Sequence, residues 1–134
     1  TDPGKPVVVG AYTSVTHHVT LHGCQVGDHC LIGINATVYN GAVVGSGSIV
    51  GQHAYLKDRF EAPENSIVVG SPAKVIASRN NRLPNRINAE FYMRNAECYR
   101  VGNHRAWAGP EFETWFAATM QRLQGEYAQG ATGA

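Results

Sequence analysis

Residues 9–56 read VGAYTSVTHHVTLHGCQVGDHCLIGINATVYNGAVVGSGSIVGQHAYL and place an aliphatic side chain at almost every sixth position. The nine aliphatic positions are Val9, Val15, Leu21, Val26, Ile32, Val38, Val44, Val50 and Leu56. Every interval is six residues except the five-residue step from Leu21 to Val26. Because helices repeat every ~3.6 residues and strands every ~2, this period indicates a repeat architecture of another kind.

The period fits a triangular parallel β-helix, in which each hexad forms one side and one corner and three hexads complete a coil. The residue two positions before each aliphatic is small or β-branched, as the interior of a narrow prism requires. Gly follows the aliphatic at positions 10, 27, 33, 45 and 51, and we expect these glycines to adopt φ > 0 at the bends. Residues 9–56 are therefore predicted to form nearly three coils.

After Leu56 the hexad pattern is interrupted. The charged segment Lys57–Pro63 contains a proline and is predicted to leave the prism as a loop, and residues 66–76 to return as a strand. The polar, Asn-rich residues 78–85 are interpreted as a linker. The predicted organisation is a β-helix over 1–76, a helical segment over 77–128 that packs on it, and a disordered tail over 129–134.

Two helices are predicted in the C-terminal part. Pro84 lies near the start of the first, and Gly109-Pro110 opens the second. One face of the second helix carries apolar and aromatic side chains at helical spacing, namely Phe112, Trp115, Phe116, Thr119 and Leu123. We interpret this face as packing against the solenoid or a neighbouring subunit rather than as a ligand site.

Composition excludes several function classes. The 134-residue chain has a net charge of +1, which gives no electrostatic case for binding nucleic acid or an anionic membrane. No apolar run is long enough to span a bilayer and no secretory segment opens the sequence, so a cytoplasmic location is expected. Three cysteines form no disulfide framework, and Cys24 and Cys30 fall at inward positions.

Three of the six histidines cluster at His17, His18 and His22. His17 follows Val15 by two residues and His22 follows Leu21 by one, which predicts positions near different corners of the same coil. One chain cannot easily bring both rings onto one ion, but a three-fold trimer can pair His17 of one copy with His22 of the next. Spacing alone leaves ordinary interface histidines as the alternative. The remaining histidines, His29, His53 and His104, are predicted to be solvent-exposed and without function.

The run from Val15 to Asp28, VTHHVTLHGCQVGD, closely resembles the gamma-class carbonic anhydrase-like family, especially in its His-x4-His-Gly-Cys portion. The hexad LIGINA at 31–36 and the segment 65–74 resemble the same family. This resemblance implies a left-handed parallel β-helix, a homotrimer, and zinc (or iron or cobalt) at the subunit interfaces. His17 and His22 would be metal ligands from adjacent subunits, and the reaction would be reversible hydration of CO2 to bicarbonate by a metal-bound hydroxide.

The chain also departs from the family pattern. The family's third His, its Gln-Asp pair and its Arg-Asp motif precede the segment that matches residues 1–4, so we expect the N-terminal coils to be missing and activity to be impaired. Asp2 could approach the site by position alone, Thr16 stands where the family usually has Gly, and His18 where it usually has Gly or another residue. Two alternatives stay open: a hexapeptide acyltransferase or CoA-thioester-processing enzyme, and a non-catalytic trimeric scaffold.

Overall fold

A computed structural model of the chain describes residues 3–130. Parallel strands form three faces of a prism, which we call faces A, B and C. Face A contains β1 (Val8–Val9), β4 (Gln25–Val26), β7 (Val43–Val44) and β10 (Glu61–Ala62). Face B contains β2 (Ser14–Val15), β5 (Leu31–Ile32), β8 (Ile49–Val50), β11 (Ser66–Val69) and β12 (Lys74–Ser78). Face C contains β3 (Thr20–Leu21), β6 (Thr37–Val38) and β9 (Tyr55–Leu56).

Successive coils stack in register, so each strand pairs with the strand one coil later. On face A, Val9 pairs with Val26 and Val26 with Val44, separations of 17 and 18 residues. The shorter coil is the one that contains the five-residue step from Leu21 to Val26. Together with helices α1 (Arg82–Arg100) and α2 (Pro110–Gly130), this arrangement confirms the predicted β-helix followed by two helices.

The core fills the prism with the residues that the hexad pattern places inward. The buried members are Cys24, Val26, Cys30, Ile32, Ala36, Val38, Ala42, Val44, Val50, Ala54, Leu56, Ala62, Val68 and Ala73. Burial raises the pKa of the Cys24 and Cys30 thiols, against smaller opposing effects of hydrogen bonds. Both cysteines therefore belong to the packing of the prism, as predicted, because a thiol with a raised pKa and no exposure is a poor nucleophile.

The predicted role of the repeated glycines is wrong. None of the glycines at 10, 27, 33, 45 and 51 has a positive φ; the left-handed conformation falls two residues later, as at Asn35 (φ 58°). Gly33 is required for another reason. A Cβ on it would lie 2.7 Å from the backbone N of Gln52 and 2.8 Å from the carbonyl O of Val50 in the next coil. These glycines thus permit close stacking of successive coils rather than the turn itself.

The prediction that Lys57–Pro63 leaves the prism is also wrong. Residues 61 and 62 form β10, which pairs in parallel with β7, and Ala62 is only 3% exposed. The inward positions continue at six-residue intervals from Leu56 through Ala62 to Val68. The sequence did not reveal this continuation, because Ala62 is smaller than the usual aliphatic residue and is surrounded by charged residues. These charges are compatible with the coil because they lie at outward and corner positions.

The solenoid ends in a hairpin. Strand β11 pairs in parallel with β8 and antiparallel with β12, which begins at Lys74. The interpretation of residues 78–85 as a linker is wrong for most of that segment, because β12 continues to Ser78 and α1 begins at Arg82. The side chain of Asn80 accepts a hydrogen bond from the backbone N of Arg82 at 3.0 Å, which satisfies a free donor at the start of the helix.

Two compact units divide the chain after Arg86. In the second unit, aromatic rings of α2 and of the loop before it surround Phe91. The ring centroids of Trp107 and Trp115 are the nearest, each 5.3 Å from the ring centroid of Phe91. The Glu90 carboxylate is buried and pairs with Arg122 at 2.8 Å. The aromatic face of α2 packs within this unit, against Phe91 of α1, whereas its predicted packing against the solenoid or a neighbouring subunit stays a prediction.

Some predictions about the two ends of the chain concern residues that the structure does not describe. Thr1, Asp2 and residues 131–134 lie outside the described residues, whereas Gln129 and Gly130, which were assigned to the tail, end α2. The packing of the helical segment on the β-helix stays a prediction. Within residues 3–130, no helix combines the length and apolar character needed to cross a bilayer.

Replacing Gly33 by Ala tests the close stacking of the coils. The added Cβ would overlap the backbone of the next coil, so we expect Gly33→Ala to destabilise the β-helix by about 1–3 kcal/mol. The matched control is Gly125→Ala in α2, where a Cβ meets open space and should stabilise the helix by about 0.5–1 kcal/mol. Thermal unfolding measures both; equal midpoints for wild type and Gly33→Ala would refute the stacking argument.

Candidate metal centre

His22 lies at the corner between faces C and A, immediately after β3. Its backbone N donates to the carbonyl O of Val38 at 3.0 Å, which fixes the start of the corner. The imidazole ring stacks on the ring of Tyr39, with centroids 5.0 Å apart and planes 16° from parallel. Its Nδ1 lies 3.0 Å from Oδ1 of Asn40. The ring is therefore held both by its face and by one of its two nitrogens.

The C–A corner differs from the other two in the residue that follows the inward aliphatic. At the A–B corner this residue is Gly10, Gly27 or Gly45, and at the B–C corner it is Gly33 or Gly51 in the later coils. At the C–A corner the corresponding residues are His22, Tyr39 and Lys57. These three residues lie above one another in successive coils and form a column of side chains. His22 and Tyr39 can stack because neither position is a glycine.

The hydrogen bond to Asn40 determines which imidazole nitrogen is available. A carboxamide Oδ1 can only accept, so Nδ1 of His22 must carry the proton that is donated. In the neutral ring the lone pair then resides on Nε2. A histidine that donates one N–H to an oxygen acceptor and presents the other nitrogen has the arrangement found in metal-ligating histidines.

His17 lies at the B–C corner, after β2 and before β3. Its side chain is exposed, and its carbonyl O accepts a hydrogen bond from the backbone N of Asn35 at 3.0 Å. His22 follows five positions later in the sequence, so the two Cα atoms lie at most about 16 Å apart, the span of an extended chain of that length. The two histidines therefore flank face C at different corners, where the spacing placed them.

The remaining histidines occupy varied positions. His18 and His53 are exposed and have left-handed backbones, with φ of 58° and 57°, and His104 is exposed in the loop between the helices. The prediction that His29 is solvent-exposed is wrong: it is partly buried, and its ring stacks on Tyr12 at 5.5 Å.

The surroundings of His29 also affect its protonation. Burial, reinforced by the positive charges of Arg82 and Arg86, lowers the pKa of His29, while the carboxylate of Asp28 opposes this effect. Sequence spacing could not reveal the burial, because it arises from contacts with residues 17 positions earlier and more than 50 positions later. Asn85, for example, donates to the carbonyl O of His29 at 2.8 Å.

The donor set of one copy does not form a complete metal centre. Among residues 3–130, no group of three or more His, Cys, Asp or Glu side chains is placed to hold an ion. His17 and His22 are at separate corners and so cannot serve one ion together. An ion at either histidine would need further ligands from another copy, and the contact of Nδ1 with Asn40 leaves Nε2 as the nitrogen of His22 that would bind it.

A cavity of about 370 Å³ adjoins Asn40 at the C–A corner. It is lined by Lys5, Asn40, Gly41, Asp58 and Arg59, so two cationic side chains and one carboxylate face it. Sequence reasoning did not identify Asn40 or Tyr39 as functional residues. The signal that could have found them is the absence of Gly after the aliphatic in this column of hexads.

Comparison with known proteins agrees with this architecture. Residues 23–58 match the family described as bacterial transferase hexapeptide (six repeats). The carnitine operon protein CaiE of Salmonella agona is 39% identical over 90 residues, which cover 66% of this chain and 46% of that protein. A candidate carbonic anhydrase of Methanocaldococcus jannaschii is 41% identical over 73 residues, covering 54% of this chain and 46% of that protein.

Among solved structures, a candidate acetyltransferase of Bacillus cereus superposes with a TM-score of 0.70 at 27% identity. The superposition covers 74% of this chain and 59% of that one. The chain spans less than half the length of the two curated relatives named above. These findings confirm the resemblance that the sequence indicated, because the hexapeptide family model matches residues 23–58 and a gamma carbonic anhydrase is among the similar proteins.

Proposed function

We propose that this hexapeptide-repeat protein binds a divalent metal ion, zinc in the first instance, between adjacent copies of the chain and catalyses the reversible hydration of CO2. The observation that carries the proposal is the contact between Nδ1 of His22 and Oδ1 of Asn40 at 3.0 Å, which favours the neutral ring with its lone pair on Nε2. A ring that is stacked, hydrogen-bonded and partly buried is already ordered before an ion arrives. Little side-chain entropy remains to be lost on binding.

We infer a trimer from the positions of the two histidines. A site that takes His17 from one copy and His22 from the next uses two different surfaces of each copy, which defines a head-to-tail interface. Such an interface forms a ring when the rotation between copies closes, and three copies would suit a triangular prism whose face C is flanked by both histidines. In this arrangement face C is directed towards the three-fold axis, and each copy contributes to two sites.

The bound ion would supply a Lewis acid that lowers the pKa of a water molecule to about 7, which gives a nucleophile for CO2 at neutral pH. The chain's own residues would bind and orient that ion. Asn40 and Tyr39 fix the His22 ring, and His17 provides the second imidazole from the neighbouring copy. The remaining positions on the ion are left to water or to groups other than these two histidines.

Mixing two inactive variants tests the shared site. We expect His17→Ala and His22→Ala each to lose CO2 hydration when expressed alone, because every site then lacks one imidazole. Co-expressed in equal amounts, they should form about three quarters mixed trimers, each with one intact site of three, and so recover about a quarter of the wild-type rate. The rate per copy is measured by stopped flow with a pH indicator.

The control for this experiment is His53→Ala, another exposed corner histidine of the same prism, which should keep the wild-type rate. No recovery in the mixture, with trimers formed, would contradict a site built from two copies. Full activity of either single variant would contradict the assignment of that histidine.

Acyl transfer from a CoA thioester is the second candidate. It is supported by the match to the transferase hexapeptide family and by the Bacillus cereus structure. The chemistry of His22 suits this reaction too, since a neutral imidazole with Nδ1–H held by an oxygen can accept a proton at Nε2 from an acceptor hydroxyl or amine. The discriminating quantity is therefore affinity for CoA.

We expect CoA to leave the thermal midpoint of the protein unchanged. A ligand that binds the folded state at 100 times its Kd would stabilise it by about 2.7 kcal/mol, a shift that is easily measured. A CoA-dependent rise that is abolished in His22→Ala would favour acyl transfer over hydration. A protein with neither metal nor CoA binding would instead be the non-catalytic scaffold.

A further inference from the structure

We infer that Asn40 is a positioning residue for His22, and that its carboxamide occupies the space that Gly23, which has no side chain, leaves in the preceding coil. The importance of this contact for metal binding rests on the proposed function. The contact itself, and the imidazole tautomer that it selects, belong to the chain alone.

The strand register shows which residues of the first and second coils lie opposite each other at the C–A corner. Leu21 pairs with Val38 at the end of face C, and Gln25 pairs with Val43 at the start of face A. Between these pairs the first coil has three residues, 22–24, whereas the second coil has four, 39–42. One residue of the first coil therefore lies opposite two of the second, as in a β-bulge.

Gly23 is the residue that lies opposite two. Its φ is +59°, and its carbonyl O accepts a hydrogen bond from the backbone N of Gly41 at 2.8 Å. A Cβ on Gly23 would lie only 2.4 Å from Oδ1 of Asn40. The carboxamide thus occupies the volume that a side chain at Gly23 would need, and from there it reaches the His22 ring at 3.0 Å.

Asn40 and Tyr39 constrain the His22 ring in different ways. The Tyr39 ring lies nearly parallel to the imidazole and so restricts rotation out of its plane. The Asn40 oxygen fixes the orientation within that plane, because a ring flip would place a carbon where Nδ1 donates. Together they leave Nε2, separated from Nδ1 by Cε1, as the nitrogen that can bind an ion.

The His22 tautomer can be measured on the 134-residue chain without metal. Proton–nitrogen correlation spectra of 15N-labelled protein, recorded above the histidine pKa, distinguish Nδ1–H from Nε2–H. We expect His22 in the wild type to be Nδ1–H. In Asn40→Leu, which keeps a similar volume without an acceptor, His22 should become predominantly Nε2–H, the form that an isolated imidazole side chain favours.

Asn40→Asp is the matched control because a carboxylate still accepts from Nδ1, so this variant should keep the Nδ1–H form. His17 serves as an internal control whose spectrum should not respond to either change. A wild-type His22 in the Nε2–H form, or an unchanged tautomer in Asn40→Leu, would overturn the inference. The wild-type measurement alone decides the point if the leucine variant does not fold.

Zinc affinity, measured by competition with a chromophoric chelator, links the contact to the proposed site. We expect Asn40→Leu to lose about 10–100-fold in affinity, as is common when a hydrogen bond to a ligating histidine is removed, and Asn40→Asp to lose little. If the tautomer changes as expected but no variant, including wild type, binds zinc, the positioning role stands and the proposed function fails. Unchanged affinity in Asn40→Leu alongside tight wild-type binding would instead refute the role of Asn40 at the metal.

Discussion

Backbone hydrogen bonds between successive coils, which hold neighbouring strands about 4.8 Å apart, set the limits within which every side chain of the β-helix must fit. The backbone N of Gly33 donates to the carbonyl O of Val50 at 2.8 Å, and the same pattern recurs along all three faces. At this spacing a Cβ on the residue after the inward aliphatic collides with the next coil at two of the three corners. The repeat therefore alternates aliphatic residues that fill the prism with glycines that let the coils approach.

The candidate site lies where this constraint is relaxed. At the C–A corner the column of His22, Tyr39 and Lys57 contains side chains instead of glycine, and Gly23 leaves room for the Asn40 carboxamide. The candidate ligand His22 is thus ordered by the same stacking that holds the fold together. His17, at the B–C corner, lacks such support: its side chain is exposed, and the ordering of its ring would have to come from the neighbouring copy.

The hexad period was sufficient to predict the coils, the inward cysteines and the position of both candidate ligands on different corners, because a six-residue repeat fixes which residues share a face. It failed where local composition departs from the average hexad. Ala62 continues the inward column, but the charges around it resembled a loop. The role of Gly33 depends on the distance to a residue 19 positions later, and the contact between His22 and Asn40 joins residues 18 positions apart in successive coils. Neither relation is visible in a one-dimensional pattern.

We propose that His17 and His22, at two corners of one prism, bind different ions that are shared with neighbouring copies. Native mass spectrometry of the purified, anaerobically handled protein tests this arrangement, since it reports the number of copies and the number of ions in the same particle. We expect a trimer with one zinc or iron ion per copy. A trimer that is free of metal and takes up no added zinc, or a monomer that retains its own ion, would contradict it.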